Sequence, residues 1–242
     1  MKLALVTGGH RRLGAAISAR LAADGWTLAL HGARDATPDA DLAAVLGDWH
    51  GFVADLSDGD AVAGLIPAVV AHFGAVPSLL VNNASRFEWD DAATVTPTAL
   101  DAHHAINTHA PVVLAVALAQ AGGAGSVVNI LDQRVRNPVA DQLSYTLSKA
   151  ALAGMTRTLA VSFAPKLRVN AVAPGLTLPT ADYDAAQMAR IADAMPLGVL
   201  PRPQDIADAV VFLAMAPAIT GQTLFVDGGA SLKSFDRDFV YM

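Results

Sequence analysis

The sequence predicts an α/β fold built on a doubly wound, parallel, seven-stranded sheet with helices on both faces. Three observations carry the prediction. Short, almost wholly apolar strands alternate with helical stretches from end to end. Such strands are apolar on both sides because helices cover both faces of the sheet. Glycine and polar residues collect where the strands end, which is the edge where ligands bind in such sheets. The chain is also 53% hydrophobic and 16% charged, with mean hydropathy +0.41, enough apolar mass for a large core.

In order, "KLALVT" (2–7) reads as a buried strand followed by an Ala-rich helix over roughly 13–24. "TLALH" (27–31), "GFVAD" (51–55) and "SLLVNNA" (78–84) repeat the pattern with helices between them, and "SVVNIL" (126–131), "RVNAVAP" (168–174) and "TLFVDGG" (223–229) complete seven strands. No repeat, low-complexity tract or linker interrupts the 242 residues, so residues 1–242 are expected to form one domain. The segment 176–203, with four prolines, reads as an irregular insertion that lies over a site. Following the strands in turn are Gly8, Arg34, Asp55, Asn83, Asp132 and Pro174–Gly175. Any one of them suits a turn, whereas six on one edge define a site.

Bulk properties narrow the partners. A net charge of −6 and a pI of about 5.5 argue against nucleic acid or an anionic membrane. With no cysteine there is neither a disulfide framework nor a thiolate metal site. "MKLALV" opens like an export signal, but "TGG" ends it too early, and "PVVLAVALA" (111–119) is too short to span a bilayer. The expectation is a cytoplasmic protein acting on a small molecule. "DAHHAINTH" (101–109) holds three histidines, but His103 and His104 face different directions with no histidine four residues on, so no metal site is expected.

"TGGHRRLG" (7–14) joins the first strand to a helix. Glycines there let the backbone approach a pyrophosphate that the helix N-terminus then holds, the Rossmann-type arrangement. Arg12 stands where a glycine is common, and His10, Arg11 and Arg12 crowd the positive end of a helix, at a cost of up to ~1 kcal/mol per cation. The cluster therefore expects an anion. After the second strand, "HGARD" (31–35) places Gly32 and Arg34 where a carboxylate for a ribose 2′-hydroxyl is usual, and a guanidinium suits a 2′-phosphate. Asp35 counts against this, although it reads equally as a helix cap or the partner of Arg34. NADPH is favoured over NADH.

"SYTLSK" (144–149) sets Tyr145 and Lys149 on one face of a helix, one turn apart. A phenol with pKa near 10 is a poor acid–base catalyst at neutral pH, and an ammonium one turn away is expected to lower it. Asp132 lies thirteen residues before the tyrosine. An ionised carboxylate only accepts hydrogen bonds, so it would repel a carbonyl oxygen but accept from an N–H. If protonated it can instead supply a proton; the plainer reading is a turn aspartate after a strand.

These residues, with "NNAS" (82–85), Asn107, "NAVAPG" (170–175) and "VDGG" (226–229), resemble the short-chain dehydrogenase/reductase superfamily from Lys2 to about Leu232. The resemblance implies that Tyr145 is the proton donor, that Lys149 lowers its pKa and holds the nicotinamide ribose, and that Asn107 supports a proton-relay water. Most of the superfamily has, where this chain has Asp132, a serine that donates to a substrate carbonyl. The resemblance with this departure therefore implies reduction of a C=N bond in a nitrogen heterocycle. Arg12, His31 with Arg34, Ser85 with Phe87, and Asp132 resemble the pteridine reductases and the bacterial dihydromonapterin/dihydrofolate reductases. That narrower likeness implies a pterin stacked on Phe87, beside Ser85, Asp132, Tyr145 and Leu176. It also implies that Gly8, Arg11, Arg12, Leu13, Gly14, His31, Gly32, Ala33 and Arg34 meet the cofactor. Asp55 and Leu56 would hold the adenine, and Asn83, Ala84 and Ser85 would line the ribose and phosphates. Pro174, Gly175 and Thr177 would meet the nicotinamide amide. A homotetramer is implied as well, with the aromatic tail "KSFDRDFVYM" (233–242) docked on a neighbouring subunit and Arg237 near its substrate. "VVFLAM" (210–215) reads as a core stripe. Two other readings stand beside this one: a ketoreductase in which Asp132 is a harmless substitution, and a non-catalytic nucleotide sensor.

Overall fold

The computed structural model describes residues 1–178 and 183–242. Seven strands form one all-parallel sheet: β1 (Leu3–Thr7), β2 (Thr27–Gly32), β3 (Trp49–Val53), β4 (Leu79–Asn82), β5 (Gly125–Ile130), β6 (Leu167–Pro174) and β7 (Thr223–Val226), in the order β3-β2-β1-β4-β5-β6-β7. The winding reverses between β1 and β4, which opens a crevice at their carboxyl ends.

Helices α1 (Arg12–Ala23) and α2 (Ala40–Val45) with α8 (Pro203–Met215) cover one face, and α3 (Gly59–Phe73), α5 (Ala110–Gln120) and α6 (Leu143–Phe163) cover the other. Alternate residues of each strand feed the two cores. Ala4, Val6, Leu28 and Leu30 pack with Ile17, Leu21 and Val210 on one side. Leu3, Leu5 and Ala29 pack with Ile66, Val69 and Leu114 on the other. Burial on both faces is what makes these strands read as unbroken apolar runs.

The third strand runs over 49–53 rather than 51–55. It is an edge strand of mixed burial, and its register is set by pairing Trp49–Val53 against Leu28–Gly32, so an apolar run is a weak guide there. The stretch 176–203 is not wholly irregular: α7 (Ala185–Ala194) starts on Asp184, whose side chain accepts from the Gln187 N–H at 2.7 Å. Residues 179–182 of that stretch lie outside the described residues. One polar chain crosses the sheet centre. Asn82 donates to Asn129 (2.8 Å), which stands directly opposite it, and Asn129 donates to Thr156 on α6 (2.9 Å). Among the described residues no helix is long and apolar enough to cross a membrane.

Candidate active site

The crevice is a cavity of about 620 Å³, within the range of small-molecule sites. Of the residues expected to meet cofactor or substrate, all but Arg34 line it. Arg34 is exposed just outside, where its charge helps hold the Asp55 carboxyl low, after the hydrogen bonds from Ser57.

At the phosphate end the glycine loop is held by main-chain and buried side-chain contacts. A Cβ at Gly14 would lie 2.0 Å from the Gly8 carbonyl and 2.7 Å from Asn83 Nδ2, so only glycine fits this crossing of α1 over the loop. Arg12 has φ +52°, the left-handed conformation that explains why glycine is common there; a side chain in that conformation costs about 1 kcal/mol. Arg11 caps α1 without a side-chain hydrogen bond, and the first turn holds no acid. The positive end of the helix is thus flanked by guanidinium groups, which suits a phosphate.

His31 was expected to touch cofactor, and its ring does line the cavity, but both nitrogens are already bonded. Nδ1 accepts from the Gly8 N–H (3.2 Å) and Nε2–H donates to the Ala54 carbonyl (2.8 Å). His31 is therefore a neutral peg joining the loop to the ends of β2 and β3, and burial pushes its pKa down. Thr7, missed in the sequence, stitches β1 to β4: its Oγ accepts from the Asn83 and Ala84 N–H groups (2.9 and 3.0 Å).

At the chemical end, the Tyr145 hydroxyl donates to Asp132 Oδ2 (3.0 Å), and Asp132 Oδ1 accepts from the Arg134 N–H (2.9 Å) as it caps the 3-10 turn Gln133–Val135. Lys149 Nζ donates to the Ile130 carbonyl (2.8 Å) and lies 5.7 Å from the Tyr145 ring centroid. Burial pushes Lys149 down to about 8, opposed by the charge of Asp132, so it stays mostly cationic at neutral pH.

The expectation that Lys149 lowers the phenol pKa does not hold in this geometry. Burial first, then the Asp132 carboxylate, push Tyr145 well above its ordinary value, and the opposing cation is Arg134. Arg134 carried no signal in the sequence. It is buried, with its guanidinium 6.0 Å from the Tyr145 ring centroid.

Asn107 is a clamp. Oδ1 accepts from Ser85 Oγ (3.1 Å) and the Arg86 N–H (2.8 Å), while Nδ2 donates to the Arg86 carbonyl and Ser148 Oγ (both 2.9 Å). Its side chain is fully spent and cannot hold a relay water; only its backbone, within the π-helical turn Ala105–His109, is left for that role.

The loop after β4 is pinned at two further points. Ahead of Asn107, α4 (Pro97–His104) supplies His103, whose Nε2 accepts from the Glu88 N–H (3.2 Å) while its Nδ1 bonds the Ala99 carbonyl (2.8 Å). Asp90 accepts from the Ser144 N–H (3.1 Å) and Ser144 Oγ, capping the helix that carries Tyr145. Between these pins Phe87 stands edge-on to Tyr145, centroids 4.8 Å apart, and is 46% exposed. Trp89 and Phe239 join the wall unpredicted. Among the described residues no three metal-binding side chains converge.

Within its own chain the tail packs closely: Phe239 is buried, Asp238 pairs with Arg134, and Arg237 pairs with Asp141 at 2.7 Å.

Residues 9–231 match the family model for enoyl-(acyl carrier protein) reductase. Among solved structures, the FolM alternative dihydrofolate reductase 1 of Brucella canis, complexed with NADP, superposes with a TM-score of 0.86 at 37% identity, covering 96% of this chain and 94% of that one. Pteridine reductase 1 of Leishmania tarentolae is 31% identical over 95% of this chain and 96% of its own. The (3R)-3-hydroxyacyl-CoA dehydrogenase of Mus musculus is 33% identical over 94% and 95%. A glycine loop closed by Gly14, a Tyr–Lys pair on one helix and family matches spanning nearly the whole chain agree: this is an oxidoreductase of the enoyl-(acyl carrier protein) reductase family, within the short-chain dehydrogenase/reductase superfamily.

Proposed function

We propose that the enzyme uses NADPH to reduce a C=N bond of a dihydropterin or dihydrofolate. The carrying observation is the 3.0 Å hydrogen bond from Tyr145 to Asp132. In it, the position usually held by a donor serine is an acceptor bonded directly to the Tyr145 hydroxyl. An acceptor there fits the N–H groups of a heterocycle and opposes a carbonyl oxygen. The exposed face of Phe87 beside Tyr145 supplies an aromatic wall for a flat ring.

The residues fit NADP in particular. The close crossing at Gly14 would let the backbone approach the cofactor's phosphates, and Arg11, Arg12 and the nearby Arg34 offer cations. When bound, reduced nicotinamide supplies the hydride. The chain supplies the rest. Lys149, cationic and anchored on the Ile130 carbonyl, would hold the ribose of the cofactor. Tyr145, kept protonated by its raised pKa, delivers the proton to the ring nitrogen next to the reduced carbon. Asp132 and Phe87 set the ring orientation. Exposed apolar residues Val113, Leu147, Met155 and Val161 on α5 and α6, and Phe212, Met215 and Leu224 on α8 and β7, support a homotetramer.

A ketoreductase is the second reading, favoured by the hydroxyacyl-CoA dehydrogenase relative. NADPH oxidation measured with biopterin, dihydrobiopterin, dihydrofolate and simple ketones separates the two. Turnover of dihydropterins supports the first, and turnover of ketones alone rejects it.

A further inference from the structure

Among the described residues, Arg134 and Asp238 of the C-terminal segment form the most heavily buried ion pair. Arg134 touches four residues at once. Its own N–H orients Asp132, and its guanidinium faces the Tyr145 ring from within the cavity wall. Its Nη1 donates to Gln142 Oε1, three residues before Tyr145, and its Nη2 donates to Asp238 Oδ2, 104 residues away in the chain. Gln142 occupies the left-handed region (φ +58°) where α6 begins, so this corner is held in shape by contacts rather than by a glycine.

Asp238 is itself fixed. Its N–H donates to Asp141 Oδ2 (2.8 Å), and its Oδ1 accepts from the Val240 N–H (3.0 Å). Gln187 on α7 donates to the Phe239 and Val240 carbonyls (3.3 and 2.8 Å). Phe239 then closes the wall of the cavity.

We propose that Arg134 is a positioning residue for the Asp132–Tyr145 pair, and that the C-terminal segment of the same chain completes the active site by fixing Arg134 through Asp238. A guanidinium is planar and always charged, so two donors locked onto Gln142 and Asp238 fix its plane. Without Asp238, a buried cation is left uncompensated and turns to the carboxylate of the adjoining turn, Asp132. That would compete with the Tyr145 hydroxyl for the same oxygens. With Asp238 in place, the cation instead faces the phenol that gives up its proton, and its charge acts to lower the phenol pKa. The inference rests on the proposed function only in requiring that Asp132 and Tyr145 act in turnover.

The test is a double-mutant cycle in the full chain: Arg134→Met, Asp238→Asn and the pair, with Arg134→Lys as the conservative variant. NADPH oxidation is followed with 7,8-dihydrobiopterin, or with whichever ketone the unmutated enzyme turns over if it ignores pterins. That choice separates failure of the pterin reading, seen in the unmutated enzyme, from failure of this proposal.

Asp238→Asn is expected to lower kcat roughly 100-fold, the scale of a misplacement of about 1 Å, while the NADPH Kd read by fluorescence is unchanged. The double variant should be no worse than Arg134→Met, and Arg134→Lys should recover part of the loss. Unchanged kcat in Asp238→Asn overturns the proposal. So do additive losses in the double variant, or losses of kcat and NADPH affinity in parallel. If Arg134→Met does not fold, Asp238→Asn and Asp238→Ala decide it by the same split between kcat and Kd.

Discussion

Main chain shapes the phosphate end of the cavity, whereas buried side chains shape the chemical end. The glycine loop is a main-chain crossing with no room at Gly14, flanked by the cations Arg11 and Arg12. The Asp132–Tyr145–Lys149 cluster is enclosed, its hydrogen bonds run to a turn and a strand end, and Arg134 beside it reaches on to the tail. The first design tolerates a charged ligand arriving from water. The second sets the protonation of its groups by excluding water, which is why Tyr145 and Lys149 both have displaced pKa values.

The contrast breaks first at Tyr145. Tyr145→Phe removes the hydroxyl proposed to donate the proton without touching the loop, so kcat should fall about 100- to 10,000-fold while NADPH affinity stays near that of the unmutated enzyme. Steady-state rates paired with fluorescence titration check both halves; a parallel loss of affinity would show the two ends are not separable.

Gly14→Ala is the converse. The added carbon must push the loop from Asn83, which should destabilise the protein by about 1–3 kcal/mol and weaken NADPH binding. Urea unfolding and the same titration read it.

The peg between loop and sheet gives a pH effect of intermediate size. His31 is buried neutral with a lowered pKa, so the unfolded chain binds its proton more readily. The stability this site confers is full above the ordinary value of 6.5 and is lost as pH falls from there toward the folded pKa, at most about 1.4 kcal/mol per pH unit. Urea midpoints from pH 7.5 to 5 should show that slope, and His31→Gln should flatten it.

Smallest is Arg12→Gly. Relieving the positive φ should stabilise the protein by about 1 kcal/mol, a rise of roughly 2–4 °C in Tm. It should also weaken discrimination of NADPH over NADH, which calorimetry and kinetics with both cofactors measure.

What the sequence revealed follows the same division. Strands buried on both faces declare themselves as apolar runs, and the loop declares itself because Gly8, Arg12 and Gly14 lie within seven residues. Tyr145 and Lys149 are legible because one helical turn joins them. Arg134, Asp90 and Asp238 were not, since each acts on a partner brought near only by folding: Asp90 lies 54 residues from Ser144, and Asp238 lies 104 from Arg134. Local spacing also misjudged Lys149, because burial and Asp132 outweigh an ammonium that hydrogen-bonds a carbonyl instead.

The asparagine pair at the sheet centre has a consequence for assembly of the sheet itself. Asn82 faces Asn129 across neighbouring strands, and Asn129 reaches on to Thr156. Sliding β4 by one step against β5 would turn these amides away from each other into hydrocarbon, stranding two polar groups at once. Purely oily strands have no comparable objection to slipping, so this short ladder keys the one alignment that brings the crevice edges level.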